Sequence, residues 1–354
     1  MLLAGGERTR QRCAGFGTYF CQWQRYTGPM LLFPLLASAL AQAAPIQADL
    51  HVDTPTQMVR KHLGLDAPGL ESGLPAMRAG GTNVAMMVLW PTRDGDWAAQ
   101  VETLFARVEA EDKRLDGVTL VRSPAQAVLA AASGRVGLVV SLEGAHGIDK
   151  GGLPALRALH ARGLAALGLT WSFSNRFAGS SGDGGGGLTD DGRALIAEAN
   201  RLGIVVDVSH ASQRSTLEAC AASRAPVIAS HSNVFALSGH ARNLHDDEID
   251  CIARSGGVIG LNFHDSFVGK PATIAKVADH ADYLKRRGGI GVVALGSDFD
   301  GLIHPADGLG DASKLPALWA ELRRRGWSEV EIDCAQGANF LRAWNRVISA
   351  ATPE

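Results

Sequence analysis

The sequence predicts a (β/α)8 barrel, or TIM barrel, because eight short apolar segments alternate with helical patterns along most of the chain. The apolar segments are rich in Val, Ile and Leu, as expected for parallel strands buried on both faces. Charged residues make up only 20% of the 354 residues and apolar residues 46%, which excludes a disordered chain. Basic and acidic residues are nearly balanced, 34 against 36, so nothing indicates binding to nucleic acid.

Each predicted strand is an apolar run that ends at or near a polar residue. The strands are Ala48–Asp53, Asn83–Trp90, Gly137–Glu143, Ala166–Trp171, Ile204–Ser209, Pro226–His231, Val258–Asn262 and Val292–Asp298. An open, doubly wound α/β sheet is the alternative fold. It is disfavoured because no strand is followed by a Gly-x-Gly-x-x-Gly turn.

Helical patterns fill the gaps between the strands. The predicted helices are Ala98–Leu115, Pro124–Ala132, Gly152–Ala161, Asp190–Leu202, Ser212–Ala222, Asp246–Arg254 and Thr273–Arg287. Asp246 is the expected N-cap of its helix, with acidic residues in the favoured first turn. Two extra C-terminal helices, over Lys314–Arg325 and Ser328–Ile348, are expected to pack outside the barrel.

The first 43 residues read as a leader and residues 44–354 as a single barrel domain. Leu31–Leu40 has the length of the apolar region of a signal peptide, and Ala41-Gln42-Ala43 fits its cleavage pattern. We therefore expect export to a bacterial periplasm or secretion, and no membrane span in the mature chain. Two alternatives to this leader remain open. The true start could be Met30, or the first residues could be a disordered extension. Removal of the leader would leave three cysteines, so at least one thiol is expected to be unpaired.

Polar residues at the strand ends suggest a site at the mouth of the barrel. His51 and Asp53 are two residues apart on one strand, so both side chains point to the same face. Four more strands end near a histidine or a carboxylate. These residues are Glu143, His210, His231 and Asp298. Taken singly, each has a structural explanation as a hydrogen-bonded residue, but barrel active sites are built at this end of the strands.

Together these six residues favour a metal-dependent hydrolase. Six ionisable groups in an apolar barrel would be costly to bury unless they were paired or bound to metal. Histidine and carboxylate ligands without a thiolate suit Zn²⁺, with Mn²⁺, Co²⁺ or Fe²⁺ as alternatives. Five ligands exceed the three of a usual catalytic zinc, and two metals bridged by one carboxylate would use them all.

At these residues the sequence resembles the membrane dipeptidase (renal dipeptidase) family, peptidase family M19 of the amidohydrolase superfamily. Six segments carry the resemblance, in the same order along the chain, and together they are highly specific. They are ADLHVDT at 48–54, SLEGAHGI at 141–148, VVDVSHAS at 205–212, PVIASHSNVFAL at 226–237, ARNLHDDEI at 241–249 and ALGSDFDG at 294–301. The resemblance covers the chain from about Ala48 to Arg346.

The resemblance implies two Zn²⁺ ions per chain. His51 and Asp53 would hold the first ion. His210 and His231 would hold the second, and the carboxylate of Glu143 would bridge the two. A hydroxide activated by both ions would then attack the peptide bond.

The resemblance also implies roles for two further residues. Asp298 would contact the first metal and transfer the proton between water and the leaving amine. Arg242, eleven residues after His231, matches the arginine that binds the terminal carboxylate of the substrate. The family hydrolyses dipeptides, many members accept a D-residue at the C-terminal position, and some open β-lactam rings.

One residue departs from the family pattern. The kidney-type enzymes carry a histidine after the fourth strand that is thought to polarise the scissile carbonyl, and Trp171 stands there in this chain. Some microbial relatives also have tryptophan at this place. Asn175 is a candidate replacement dipole. Asp207, His146 and Asp300 are candidates for supporting the ligands from behind, although each has an equally good structural explanation.

The expected function is hydrolysis of dipeptides, L-Xaa-L-Xaa and L-Xaa-D-Xaa, by a zinc-dependent metallo-dipeptidase. The expected partners are small dipeptide substrates, and a homodimer is left open. Two alternatives remain at this point. One is a related amidohydrolase acting on N-acyl-amino acids, lactones or lactams. The other is an inactive zinc-binding or interaction protein, which the presence of Asp298 argues against.

Overall fold

The computed structural model describes residues 45–92 and 94–352, and the predicted leader over residues 1–43 lies outside them. Nine strands form in this part of the chain, and all belong to one sheet. They are β1 (Ala48–Val52), β2 (Val84–Leu89), β3 (Val118–Leu120), β4 (Val136–Leu142), β5 (Leu164–Gly168), β6 (Val205–Asp207), β7 (Val227–Ile228), β8 (Ile259–Leu261) and β9 (Val293–Leu295).

Eight of these strands form a ring. Their order is β7, β6, β5, β4, β2, β1, β9, β8, and all neighbours are parallel. The two ends of this row meet at Ala229, just after β7. Its N–H donates to the carbonyl of Val258 at 2.9 Å, and its carbonyl accepts from the N–H of Gly260 in β8 at 2.8 Å. The predicted (β/α)8 barrel is therefore confirmed.

The remaining strand, β3, was not predicted. It pairs with β4 alone and lies outside the ring. Its three residues are too few to show a strand period in the sequence. Several barrel strands also end earlier than predicted, since β9 ends at Leu295 and β6 at Asp207. The backbone leaves the strand conformation before His210 and Asp298, whose φ angles are +67° and +68°.

Helices surround the ring, and most begin at the predicted places. The α-helices of the described residues are α1 (Thr54–Lys61), α2 (Leu74–Gly80), α3 (Trp97–Arg114), α4 (Pro124–Ala132), α5 (Gly152–Arg162), α6 (Asp190–Leu202), α7 (Gln213–Ala222), α8 (Phe235–Ser238), α9 (Asp246–Ser255), α10 (Asp265–Val268), α11 (Ile274–Gly288), α12 (Leu315–Arg324), α13 (Glu329–Asp333) and α14 (Asn339–Ala350). The sequence analysis missed α1 and α2, which follow β1.

The N-cap of α9 was predicted one residue too late. The cap is His245, and Glu248 forms a capping box with it.

The last helix, α14, was predicted to pack outside the barrel. It instead covers the end of the barrel where the strands begin. Phe340, Trp344 and Val347 of α14 are buried in one apolar cluster with Ile46 and Leu50. Ile46 comes just before β1, so this cluster lies at the amino ends of the strands. The polar residues predicted to form the site lie at the opposite end.

One disulfide links two neighbouring helices of the outer layer. Cys220 in α7 and Cys251 in α9 are bonded, with their Cα atoms 6.0 Å apart. Cys334 keeps a free thiol, as expected from three cysteines. Among the described residues, no helix combines the length and the apolar character needed to cross a membrane.

Candidate metal centre

The carboxyl ends of five barrel strands bring the six predicted residues together. His51 belongs to β1 and Asp53 follows it. Glu143, His210, His231 and Asp298 follow β4, β6, β7 and β9 respectively. Parallel strands of a barrel end at one rim, so residues far apart in the sequence meet there.

Glu143 lies at the centre of three imidazoles. Its Oε1 is 3.0 Å from Nε2 of His210, 3.5 Å from Nε2 of His231 and 3.6 Å from Nε2 of His51. The two nitrogens of His210 and His231 are 3.1 Å apart. A carboxylate with three histidine nitrogens around one oxygen is suited to bridge two cations.

Two carboxylates complete the cluster on the other side of His51. Its Nε2 is 3.5 Å from Oδ2 of Asp53 and 4.0 Å from Oδ1 of Asp298. Two sets of three donor atoms result, with His51 common to both, and all donor atoms within a set lie within 4.8 Å of one another. One set is His51, Glu143 and His231, and the other is His51, Asp53 and Asp298.

The electrostatics of the cluster fit a bound cation. All six side chains are buried. Burial raises the pKa of Asp298 to about 7 and holds the pKa values of Asp53 and Glu143 well above their usual range. Burial also holds the pKa values of His210 and His231 well below the usual range. Without a metal, burial thus disfavours the charged form of these carboxylates. A bound cation would favour the charged form and lower their pKa values.

Two buried atoms and one glycine support the same conclusion. Nε2 of His51 and Oδ1 of Asp53 are buried without a hydrogen-bond partner. A Cβ at Gly301 would lie 2.7 Å from Oδ1 of Asp298 and 2.8 Å from Oδ2 of Asp53. Glycine therefore keeps the space beside both carboxylates open. The mixed nitrogen and oxygen donors, with no thiolate among them, suit zinc or a similar divalent metal.

Arg242 reaches the cluster from the loop after β7. Its Nη1 donates to Oγ of Ser232 at 2.8 Å and its Nη2 donates to the carbonyl of His231 at 3.0 Å. Nη2 also lies 2.7 Å from Nε2 of His231, and Nε has no hydrogen-bond partner. Burial lowers the pKa of Arg242 to about 10, so the guanidinium is still charged at neutral pH. A cationic fork therefore borders the candidate metal ligands.

Asn175, the predicted replacement dipole, is hydrogen-bonded to the backbone of its own loop. Its Nδ2 donates to the carbonyl of Leu169 at 2.9 Å. Its Oδ1 accepts from the N–H groups of Phe177 at 2.8 Å and Ala178 at 3.3 Å. These bonds use the amide oxygen and one of the two N–H groups, so Asn175 shapes its loop, and its role as a dipole stays a prediction.

Asp300 supports the site from behind. Its carboxylate accepts from Oγ1 of Thr54 at 2.7 Å and from the N–H groups of Glu71 at 2.9 Å and Ser72 at 3.1 Å. Thr54 directly follows Asp53. These contacts brace the turn that carries Asp53.

Trp171 belongs to an aromatic cluster beside the site. Its ring centroid is 5.3 Å from that of Trp90 and 5.7 Å from that of Phe173. Phe173 in turn contacts His146 at 4.8 Å, and Trp97 contacts His146 at 5.0 Å. His146, predicted as a support for the ligands, bonds the carbonyl of Pro91 through Nε2 at 2.9 Å and belongs to this aromatic cluster.

The sequence analysis missed Asn262. Its Nδ2 donates to Oδ2 of Asp298 at 2.9 Å. The other oxygen of Asp298, Oδ1, is 4.0 Å from Nε2 of His51. Asn262 is the polar residue at the end of an apolar run, which is the same signal that identified the other strand-end residues. The sequence carries this signal, but it does not show that the amide would bond Asp298.

Comparison with known proteins agrees with this geometry. The model of the membrane dipeptidase family, peptidase family M19, matches residues 36–354. The chain belongs to the membrane dipeptidase family. Among the solved structures, this M19 chain is similar to a metallopeptidase from Rhodobacter sphaeroides bound to a phosphinate mimic of the dipeptide L-Ala-D-Ala. The TM-score is 0.79 and the identity 28%, over 85% of this chain and 99% of the other.

Curated relatives of this membrane dipeptidase family member include two fungal proteins. Dipeptidase verJ of Clonostachys rogersoniana is 36% identical over 256 residues, which are 70% of this chain and 64% of that protein. Dipeptidase aclJ of Aspergillus oryzae is 37% identical over 216 residues, or 59% of this chain and 51% of that protein. The chain thus spans less than two thirds of the length of these relatives.

Proposed function

We propose that this chain is a zinc-dependent dipeptidase with two Zn²⁺ ions at the mouth of its barrel. The observation that carries the proposal is that two sets of three buried donor atoms lie within 4.8 Å of one another. The sets are His51, Glu143 and His231, and His51, Asp53 and Asp298. His51 and Asp53 would hold one ion, and His210 and His231 the other. Glu143 would lie between them. Membership of a metallopeptidase family supports this reading.

The chemistry divides between the ions and the chain. Two zinc ions, when bound, supply a water of lowered pKa and polarise the carbonyl of the scissile bond. Asp298 accepts the proton of the attacking water at Oδ1, while Asn262 holds Oδ2. Asp298 then returns that proton to the leaving amine, which needs an acid at that position.

Arg242 selects the substrate class. A guanidinium pairs with a carboxylate through two parallel hydrogen bonds, and such charge-assisted bonds are roughly twice as strong as neutral ones. Because Arg242 is buried next to His231, the carboxylate it binds must belong to a short substrate. The dipeptide mimic on the Rhodobacter sphaeroides structure is such a molecule, and it supports L-Xaa-D-Xaa dipeptides as substrates.

A substrate panel tests this function. The purified chain with added Zn²⁺ should hydrolyse L-Xaa-L-Xaa and L-Xaa-D-Xaa dipeptides, and a chelator should stop the reaction. Dipeptide amides, which lack the free carboxylate, serve as the matched control and should react far more slowly. Faster turnover of N-acyl-amino acids, lactones or lactams would replace the proposal by that related activity. No turnover of any substrate in a zinc-loaded chain would identify a non-catalytic protein.

Zinc binding is expected to tighten as the pH rises from 5.5 to 7.5. Burial raises the pKa of Asp298 to about 7 and those of Asp53 and Glu143 as well, so zinc must displace protons from these carboxyls. Burial holds the pKa values of His210 and His231 well below their usual range, which favours the neutral imidazole that a metal binds. One displaced proton makes binding about tenfold tighter per pH unit below its pKa.

Two measurements check this pH dependence. Competition with a chromophoric chelator at several pH values gives the zinc affinity. Calorimetry in two buffers of different ionisation enthalpy gives the number of protons released on binding. A constant affinity without proton release would contradict the expected protonation of the metal-free site.

We also propose that the chain works in an oxidising compartment outside the cytoplasm. The disulfide between Cys220 and Cys251 supports this, because disulfides persist in such compartments and are rare in the cytosol. Sequencing the amino terminus of the protein recovered from its native cells tests the proposal, since export by the predicted leader should remove residues 1–43.

A further inference from the structure

The hydroxyl of Ser230 lies between two of the candidate metal ligands, beside the Nδ1 atoms of their rings. Its Oγ is 3.2 Å from Nδ1 of His51 and 2.9 Å from Nδ1 of His231. The two rings lie against each other, with centroids 3.6 Å apart. Ser230, His51 and His231 are all nearly inaccessible to solvent. One side chain therefore contacts the outer nitrogens of two imidazoles.

Asp207 determines where the single hydroxyl proton of Ser230 goes. Its Oδ2 is hydrogen-bonded to Oγ of Ser230. Its Oδ1 accepts from the backbone N–H groups of Ser209 and Ser230, both at 2.9 Å. All three partners are groups that can donate a hydrogen bond, and a backbone N–H can only donate. The Ser230 proton thus points to Asp207, and the lone pairs of Oγ are left for the two imidazoles.

This hydrogen-bond pattern fixes the tautomer of both histidines. If Ser230 Oγ accepts from both, His51 and His231 carry their protons on Nδ1 and present unprotonated Nε2 atoms. Both Nε2 atoms face Oε1 of Glu143, at 3.6 and 3.5 Å. A metal binds only the unprotonated nitrogen of an imidazole. The longest contact of Ser230 Oγ is 3.3 Å, to Oγ of Ser209, which itself accepts from the backbone N–H of His231 at 3.1 Å.

The backbone holds Ser230 in this place. A Cβ at Gly260 would lie 1.9 Å from the carbonyl oxygen of Ser230, and one at Gly296 would lie 1.8 Å from it. Only glycine at both positions lets the chain after β7 approach β8 and β9 this closely. Because Asp207 also holds the N–H of Ser230, the hydroxyl has little freedom to move.

We propose that Ser230, anchored by Asp207, is a shared positioning residue that sets His51 and His231 as Nδ1-protonated ligands of the metal site. His51 belongs to both donor sets, so the hydroxyl contacts a ligand of each set. His210 is outside this arrangement, because the contact of its Nδ1 with Oγ of Ser172 is 3.5 Å long. The zinc in this proposal rests on the proposed function, whereas the tautomers do not.

Zinc affinity of the full chain tests the proposal. Ser230→Ala should weaken zinc binding by about 10- to 100-fold, the usual effect of removing such a partner. Ser215→Ala is the matched control, since Ser215 is equally buried but lies in α7 and bonds Gly179 and Ser212 instead of a candidate ligand. It should leave the zinc content unchanged. Circular dichroism in chelator verifies that both variants fold like the wild type. Affinity of Ser230→Ala within about twofold of the control would overturn the proposal.

Histidine tautomers give a second readout that needs neither metal nor activity. In the metal-free chain, ¹⁵N NMR of labelled histidines should show His51 and His231 protonated on Nδ1. Asp207→Asn should move one of these protons to Nε2. The two backbone donors keep the amide oxygen at Oδ1, so its NH₂ faces Ser230 and turns the hydroxyl proton toward an imidazole. Unchanged tautomers in Asp207→Asn would overturn the proposal, even if the chain hydrolyses dipeptides. Correct tautomers without dipeptide hydrolysis would refute the proposed function alone.

Discussion

Asp298→Asn is expected to lower kcat for dipeptide hydrolysis by about 100-fold or more, the usual contribution of a positioned acid or base. The amide has the same shape and can still accept from Asn262, but it cannot take up and return a proton. The exchange removes only the ionisable group, because carboxylate and amide differ little in size. The loss should therefore appear in kcat at saturating substrate.

Steady-state kinetics on zinc-matched samples measures this effect. The zinc content of Asp298→Asn must be determined first, because Asp298 also borders the first metal position. Asp116→Asn is a suitable control, since this exposed acid precedes β3 at the opposite end of the barrel. A kcat within about threefold of the wild type, with full zinc, would remove Asp298 from the proton transfer.

Arg242→Met is expected to reduce kcat/KM for free dipeptides by about 100-fold, within the range measured for truncation of one partner of a buried charge pair. A cation on His231 would occupy the Nε2 lone pair that Nη2 now contacts, and would leave Nη2 and Nε available to a substrate carboxylate. Methionine fills the same volume without a charge. The kcat/KM of Arg242→Lys should lie between those of the wild type and Arg242→Met, since lysine keeps the charge but cannot form two parallel hydrogen bonds to a carboxylate.

Dipeptide amides distinguish this role from a structural one. The variant should lose little activity on an amide, because the amide offers no carboxylate to bind. The ratio of kcat/KM for dipeptide over dipeptide amide is therefore the quantity to compare. An equal loss on both substrates would mean that Arg242 holds the site together through Ser232 and the carbonyl of His231.

Much of the site was predictable because a barrel converts strand ends into neighbours. His51 and Asp53 are two residues apart on one strand, and the other four candidate ligands each follow a strand, so the fold alone brings them to one rim. Their identity as histidines and carboxylates then indicates a metal. No three-dimensional knowledge beyond the order of the strands was needed for this step.

Other parts could not be predicted, for physical reasons that differ. Ser230 is a common residue type, and its significance comes from His51, which is 179 positions away in the sequence. Asn175 has a polar amide near the site, and only the structure shows that it bonds the backbone of its own loop. The strand β3 is too short to show a period, and α14 has an amphipathic pattern that does not tell whether its partner is the side or the bottom of a barrel.

The disulfide has a consequence for how the chain would come apart under proteolysis. Cys220 and Cys251 enclose the whole segment that supplies His231 and Arg242, and its most exposed turn lies around Gly239. A protease that cuts at this turn leaves two polypeptides still joined by a covalent bond. Cleaved molecules therefore migrate as one species in a non-reducing gel, and a reductant separates the two fragments.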